Sequence, residues 1–334
     1  MGSIWRRQSG GPGGSGMIAF GPVPSRRLGR SLGINNIPPK VCSYACAYCQ
    51  LGRTLNMRAT PTTFYNPWDI LQAVQAKAIG AKESGEPIDY LTFVPDGEPT
   101  LDINLGREIA LLQPLGIPVA VISNASLMAR DDVRENLTKA DWVSLKVDST
   151  REAVWRRTDR PHGSLHLDAI LSGLLEFAQT YRGRLVTETM LVAGLNDGEE
   201  QIEELAEFLA RLKPATAYLS VPIRPPAEPW VHSPDEPVIV RAYQTLSRKA
   251  GPVEYLIGYE GNAFALTGNV AEDLLSITAV HPMREDAVSQ FLARGGAGWD
   301  LVRGLLAAGQ LCEIPFEGHK FYLRKLQRGE RDDV

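Results

Sequence analysis

Three cysteines crowd the segment CSYACAYC, residues 42 to 49: Cys42, Cys46 and Cys49, with one other cysteine, Cys312, in the chain. Thiolates are ligands for soft metals, and a trio this tight can close on a single centre. A [4Fe–4S] cluster is normally held by one cysteine per iron, so three local cysteines leave one iron open to a ligand that is not protein. The same trio could form part of a zinc site of the Cys3His kind. The nearest histidine along the chain is His162, and no second CxxC pair follows as it does in zinc ribbons. A disulfide fits a trio plus a singleton poorly. The spacing favours the cluster.

Such a site needs a scaffold, and the chain after the cysteines alternates apolar runs with amphipathic periods. Residues 66 to 84 carry helical spacing behind Asn66-Pro67, a good helix start. Residues 90 to 95, 117 to 122, 141 to 147, 185 to 192, 217 to 221 and 253 to 257 read as strands. Residues 32 to 34 read as a first short strand. Helices are predicted at 105 to 112, 131 to 139, 165 to 180, 199 to 212 and 238 to 248. Nearly continuous β runs between helices predict a parallel sheet covered by helices, here a partial or full TIM-like (β/α) barrel. Functional residues should then lie just after strand C-termini.

Residues 281 to 326 differ. Two short amphipathic helices are followed by a predicted hairpin, the pattern of a small winged-helix-like domain. The expected organisation is a tag or linker over 1 to 16, a barrel over 17 to 277, a winged-helix-like module over 278 to 326 and a polar tail over 327 to 334. Arg294, Arg303, His319, Lys320, Arg324 and Lys325 place basic groups around that module, a pattern that suits a polyanion or a solvated docking face. Cys312 reads as a small apolar side chain on the hairpin.

Composition sets the limits. The chain has 334 residues, is 44% hydrophobic and 22% charged, and carries a net charge of −4, so it can bury a large core and is not basic overall. No apolar run reaches the ~20 residues that span a bilayer. Residues 1 to 16 lack the apolar core of a signal peptide. Free cysteines without an export signal predict a cytoplasmic protein with no membrane attachment.

Several strand ends carry reactive types. DGEPT (96 to 100) contains Asp96, Gly97 and Glu98: carboxylate acceptors, and a glycine that permits close backbone approach. Ser123 and Asn124 end the next strand. In WVSLKVD alternation puts Val143, Leu145 and Val147 on one face and Ser144, Lys146 and Asp148 on the other, toward the lumen. An inward lysine must be paired or employed. Lys146 can bind an anion, form a Schiff base with a carbonyl, or pair with Asp148 or Glu188. Asn196 and Asp197 follow the strand that bears Glu188, and Arg224 follows the next. Arg160 and His162 lie on the same rim. Arg26, Arg27, Arg30, Lys40 and Arg53 flank the cysteines and can hold an anionic cofactor or substrate.

CxxxCxxC with Tyr48 before its last cysteine, followed one strand later by DGEPT, resembles the radical S-adenosylmethionine (SAM) superfamily. The resemblance implies a [4Fe–4S] cluster on Cys42, Cys46 and Cys49, and SAM chelating the open iron. It further implies reductive cleavage of SAM to a 5′-deoxyadenosyl radical, which abstracts hydrogen from a substrate. DGEPT resembles the family's GGE motif, with Asp96 in place of the first glycine. Tyr48, Asp96, Gly97, Glu98, Ser123, Asn124, Lys146, Asp148 and Val192 are the expected cofactor-binding residues. Lys146, Glu188 and Arg224 are the expected catalytic ones. An external one-electron donor of flavodoxin or ferredoxin type is the expected partner.

A closer likeness, to the wyosine-synthase-like group of Fe–S oxidoreductases, rests on FGPVPSRRLGRSLGI, FVPDGEPTL, VISNASL, RPH, TETMLVAGLND, VPIRPPAEPW and VHPMRE, and runs from about residue 20 to 324. It points to a tRNA nucleotide as substrate. No cysteine precedes Cys42, so the second cluster of wyosine synthases has no ligands here, and the wyosine reaction itself loses its main support. Two other readings stay open: radical modification of a peptide or protein side chain, and a non-catalytic Fe–S regulator that binds DNA.

Overall fold

The alternation of apolar strands and amphipathic helices builds one curled sheet with helices on its outer face. The computed structural model describes residues 18 to 258, 261 to 266 and 268 to 325. The expected N-terminal tag (1 to 16) and C-terminal tail (327 to 334) lie outside the described residues. The chain opens with an antiparallel hairpin, β1 (Ala19–Ser25) and β2 (Gly29–Ile34), where the sequence suggested one short strand. Two short strands, β3 (Val41–Cys42) and β4 (Asn56–Met57), pair in parallel on either side of the cysteine loop. There follow α1 (Pro67–Glu83), β5 (Tyr90–Phe93), α2 (Leu105–Leu112), β6 (Val119–Ser123), α3 (Asp131–Leu137) and β7 (Trp142–Lys146). Next come α4 (Glu152–Thr158), α5 (Leu167–Thr180), β8 (Arg184–Met190), α6 (Glu199–Leu212), β9 (Thr216–Ser220), α7 (Glu236–Ala250) and β10 (Val253–Leu256).

The sheet runs β1-β2-β5-β6-β7-β8-β9-β10, and every pair from β2 onward is parallel. Among the described strands β1 and β10 do not pair with each other, so the barrel is partial. Local chemistry explains the helix ends. Asn66 caps α1, its side chain accepting from Trp68 N at 3.0 Å, with Pro67 in the first turn. α6 opens on Glu199 and Glu200, which favour the positive end of the helix dipole, and buries Ile202, Leu205, Phe208, Leu209 and Leu212 as a stripe.

Strand parity sorts the core. Val143, Leu145 and Val147 pack outward in the main apolar cluster with the covering helices. The opposite face makes a smaller cluster at the N-terminal end of the lumen: Leu28, Ala120, Trp142, Val186, Tyr218 and Leu256. The lumen is thus closed by an apolar floor, and its polar residues stand above it, toward the strand C-termini.

After β10 come α8 (Val270–Val280), β11 (Met283–Arg284), α9 (Glu285–Arg294), α10 (Trp299–Ala307), β12 (Leu311–Phe316) and β13 (His319–Arg324). The three strands form an antiparallel sheet in the order β11-β13-β12. The unit's element order is thus helix–strand–helix–helix–strand–strand. α8 shares an apolar cluster with Phe291 and Tyr322 of this unit and with Phe20 and Val23 of β1. The outer edge of the barrel sheet is thereby covered, which removes an exposed pairing edge.

α5 lies against the turn after β6 so closely that a Cβ at Gly173 would sit 2.0 Å from the Met128 carbonyl oxygen. Gly173→Ala should therefore destabilise the fold by about 2 kcal/mol despite alanine's better helix propensity, because backbone must move. Urea unfolding would measure this; an unchanged or raised midpoint would contradict the packing described.

Candidate active site

The cysteine loop is seated by backbone hydrogen bonds on the C-terminal end of the sheet. Ala45 N and Ala47 N donate to the carbonyls of Asp159 and Thr158 at 3.1 and 2.8 Å, and His162 N donates to Ser43 O at 2.9 Å. On its other side Gly97 adopts φ +155°, and a Cβ there would lie 1.9 Å from Val41 O. Only glycine allows that approach. Across it Lys40 N donates to Asp96 O at 2.7 Å and Glu98 N to Val41 O at 3.2 Å.

Lys40 closes the loop at both ends. Its ammonium donates to the Leu51 carbonyl and pairs with Asp96 at 3.1 Å, while its own carbonyl accepts from Leu55 N and Asn56 N. Asp96, where the family motif has glycine, is thus the counter-ion of a loop staple. Its second oxygen, Oδ2, is buried without a partner. Burial pushes the Asp96 carboxyl up to about 6, and Lys40 offsets part of that rise.

Glu98 joins the ends of β5 and β6. Its Oε1 accepts from Thr100 N at 3.0 Å, Thr100 Oγ1 at 2.6 Å and Ser123 Oγ at 2.8 Å, and its Oε2 accepts from Asn124 N at 2.7 Å. Asn124 Nδ2 in turn donates to Ser43 Oγ at 3.0 Å and to Cys42 Sγ at 3.5 Å. Asp96, Gly97, Glu98, Ser123 and Asn124, read separately from the sequence, therefore form one continuous wall beside Cys42. Burial, then the Glu98 charge, pushes the metal-free Cys42 thiol up to about 12. Iron would have to displace that proton on binding.

Cys46 sits deeper, its thiol donating to Asp159 Oδ1 at 3.5 Å. Tyr48 donates to Asp148 and lies 3.1 Å from Asp159 Oδ1. Burial and the neighbouring Asp148 charge raise the Asp159 carboxyl above the ordinary carboxylate range. Val192 packs with Ala47, Tyr48, Leu195 and Val231 beneath the loop. Asn196 bonds the Asp148 and Met190 carbonyls at 2.8 Å each and thereby fixes the strand end.

Below this level lies a chain of charges. Lys146 stands 4.7 Å from the Tyr48 ring centroid and pairs with Glu188 at 3.2 Å. Glu188 also takes Arg27 as a partner and accepts from Ser220 at 3.2 Å. Arg27, on the β1–β2 turn, reaches into the lumen and lies 5.9 Å from the Trp142 and the Tyr218 ring centroids. Burial pushes the Lys146 ammonium down, but Asp148 and Glu188 outweigh it and hold the group above its ordinary range. Burial raises Glu188, and Lys146 and Arg27 more than reverse this, holding it below the carboxylate range. A charged lysine is a poor Schiff-base nucleophile and a good anion partner.

Arg224 sits at the rim, donating to Gln50 at 2.5 Å and to His281 Nε2 at 3.2 Å. It links the cysteine loop to the C-terminal unit. Arg160 and Arg53 both pair with Glu228, at 2.6 and 3.2 Å.

Other sequence candidates stand apart. Arg30 pairs with Asp89 just before β5, at the end of the sheet away from the cysteines. Asp197 accepts from Gly194 N at 2.9 Å in a turn, and His162 Nδ1 bonds Ser164 Oγ at 2.8 Å. Basic groups of the C-terminal unit are largely engaged: Arg294 with Glu86, Arg303 with Asp300 at 2.5 Å, and Lys320 with Glu313 at 3.3 Å. Cys312 is half-buried on β12 and lies 3.6 Å from Leu323 O. Asp159 and Glu228 had no sequence signal; Arg27 and Lys40 appeared only as members of a basic stretch. Among the described residues, no three His, Cys, Asp or Glu side chains lie close enough for one lone metal ion. A four-iron cubane is a larger body whose thiolates stand further apart.

These features have counterparts. The family model described as the radical SAM superfamily matches residues 36 to 209. A UPF0026 protein of Methanocaldococcus jannaschii is 45% identical over 317 residues, 94% of this chain and 98% of that protein. A radical SAM methyltransferase from Sphaerobacter thermophilus aligns with a TM-score of 0.52 at 18% identity, over 70% of this chain and 69% of that one. TYW1 with a lysine-pyruvate adduct bound aligns with a TM-score of 0.50 at 17% identity, over 66% and 74%. At these identities the two structures show the fold. The chain belongs to the radical SAM superfamily and, within it, to the group of UPF0026 proteins. It is a radical SAM enzyme of a family that works with a [4Fe–4S] cluster and SAM and typically needs an electron donor. Among the described residues no helix is long and apolar enough to cross a membrane.

The Arg27–Glu188–Lys146 chain makes a measurable demand. Arg27→Met should destabilise the protein by about 3 kcal/mol at pH 7, since one of two cations neutralising a buried carboxylate is lost. The folded-state pKa of Glu188 is lowered, so its stabilisation is fully present above the unfolded glutamate value, about 4.3, and is lost as pH falls through the folded value. In Arg27→Met the folded value rises, so that loss should be smaller and complete at higher pH. Denaturation curves across pH 3 to 7, roughly the span from below to well above the free carboxylate value, check both points; parallel profiles would contradict the pairing.

Proposed function

We propose that Cys42, Cys46 and Cys49 hold the [4Fe–4S] cluster and that SAM lies between it and the lumen. The observation that carries this reading is the single hydrogen-bonded wall from Glu98 through Ser123 and Asn124 to Cys42 Sγ. When bound, the cluster supplies one electron that splits SAM into methionine and a 5′-deoxyadenosyl radical. The unpartnered Asp96 Oδ2 and the second lone pair of Glu98 Oε2 offer acceptors for the amino group of SAM. Gly97 keeps that approach clear. Lys146 serves as a fixed cation for a carboxylate, held ready by Glu188 and Asp148, with Tyr48 and Val192 forming the apolar side of the cradle. Arg224 positions the loop through Gln50.

The substrate we propose is a nucleotide base, with RNA as the first candidate. An S-adenosylmethionine-dependent nucleotide dehydratase and a dual-specificity RNA methyltransferase, each 27% identical over part of this chain, support that class. A peptide substrate is the second reading, favoured by the engagement of Arg294, Arg303 and Lys320 in ion pairs, which lessens the charge available to a polyanion. We further propose that residues 269 to 325 act as one module whose main role is to cover the β1 edge.

Anaerobic reconstitution, reduction and an assay for 5′-deoxyadenosine test the central claim. The wild-type chain should cleave SAM, and Cys46→Ala should abolish cleavage; no SAM cleavage by the reconstituted wild type would sink the proposal. Incubation with RNA and with peptide pools, reading deuterium transfer into 5′-deoxyadenosine, separates the two substrate classes. Lys40→Met, which removes the loop staple, should at least halve the iron retained after reconstitution while the far-ultraviolet circular dichroism stays unchanged. Full iron content in that variant would refute the staple.

A further inference from the structure

We propose that the outer surface of the cysteine loop is the docking face for a small acidic one-electron carrier protein. This rests on the cofactor assignment above and names the partner of the same site. The loop leaves Cys49 through Gly52, whose N donates to Cys49 O at 3.1 Å, and returns as β4, where Met57 is in register with Cys42. Leu55 is 71% exposed, Met57 37% and Trp230 47%. Three large apolar side chains held in water directly behind metal-binding cysteines need a reason.

Their arrangement gives one. Arg53 lies two residues from Leu55 and pairs with Glu228 at 3.2 Å; Arg160 pairs with the same carboxylate at 2.6 Å and stacks 5.8 Å from the Trp230 ring centroid. Glu228 N donates to Ala47 O at 3.1 Å, so this chain of contacts is tied to the loop itself. Glu228 is buried and can offset only one of its two arginines, and Arg58 on the strand end adds a further cation, stacked 5.8 Å from the Phe64 ring centroid. Arg53, Glu228 and Arg160 thus connect the exposed Leu55 and Met57 segment to Trp230 and set arginines beside these apolar groups, on a chain whose net charge is −4. Tryptophan, methionine and arginine are the types enriched at protein interfaces, and small transient contacts of this kind are typical of electron-transfer encounters. The positive rim selects an acidic partner and steers its approach. RNA fits less well, since a polyanion site needs many free cations and this face has few. In the step itself the reduced carrier loses one electron and the iron–sulfur group behind the face gains it; no bond forms between the proteins.

The test compares two reductants on the reconstituted full-length chain. Leu55→Asp and Arg58→Glu, with purified reduced bacterial flavodoxin as donor, should each raise the flavodoxin concentration for half-maximal 5′-deoxyadenosine formation about tenfold, the loss expected of an interface anchor or a reversed rim charge. With dithionite as donor both variants should match the wild type. Flavodoxin binding measured by interferometry should weaken in parallel and fall with added salt. Variants that bind and respond to flavodoxin like the wild type overturn the proposal, as do variants equally impaired with dithionite. Selective loss of tRNA affinity with flavodoxin affinity intact would overturn it in favour of an RNA surface. Wild-type chain that is inactive with both reductants yet binds flavodoxin, with Leu55→Asp binding weaker, would leave the docking face standing and remove the cleavage reading instead.

Discussion

Two backbones meet at Val41 and Gly97, and the site depends on that approach. Gly97 can take φ +155° and leave Val41 O the space a Cβ would fill. With the contact made, Lys40 N reaches Asp96 O and Glu98 N reaches Val41 O, so the start of the cysteine loop is hydrogen-bonded to the end of β5. Glu98 then faces β6 and binds Ser123 and Asn124, and Asn124 returns to Cys42. A larger residue at 97 would separate Cys42 from the wall formed by Glu98, Ser123 and Asn124. The two other cysteines have a second anchor, the carbonyls of Thr158 and Asp159. A loop fixed on both sides before metal arrives loses less chain entropy on binding it.

The lumen beneath solves a different problem. Glu188, Lys146, Arg27, Asp148 and Asp159 bring five ionisable groups into a space where unpaired charge is expensive. Two cations share Glu188, and the Tyr48 hydroxyl lies within hydrogen-bond reach of both Asp148 and Asp159. Arg27 is laid against Trp142 and Tyr218, which supply a π-face to its guanidinium. The pairing also fixes what Lys146 can do. Beside Glu188 and Asp148 the charged ammonium is favoured over the free amine, which suits Lys146 to attract anions.

Much of the scaffold was legible because parity and period survive in the sequence. Residues 141 to 147 showed which face of β7 meets helices and which meets the lumen, and the stripe on α6 predicted its bounds. Three elements hid for specific reasons. β1, AFGPVPS, contains a glycine and two prolines, which read as loop. α4 is short, and its EAVWRRT shows too few turns to set a period. α8 buries Asp273, Ser276 and Thr278 along with Leu274 and Ile277, so no polar face marks it as amphipathic. Within the site, the types on strand ends could be read, but their partners could not. Lys40 and Asp96, or Arg27 and Glu188, are far apart along the chain, and composition does not say that each cation has an anion waiting.

That same blindness governs the C-terminal unit. Its basic residues suited either a polyanion or a solvated docking face. In the fold Arg294 crosses to Glu86 on the barrel and donates to the Phe264 carbonyl at 2.7 Å, and Lys77 of α1 crosses to Asp273 of α8 at 2.9 Å. Phe20 of β1 is buried among the unit's own side chains. Charge and apolar area are thus spent on holding the unit to the open side of the sheet. The contact Arg224–His281 then lies between that unit and Gln50, the residue after Cys49. The cover and the cysteine loop are therefore joined along this path by a single side chain, Arg224, which hydrogen-bonds to both.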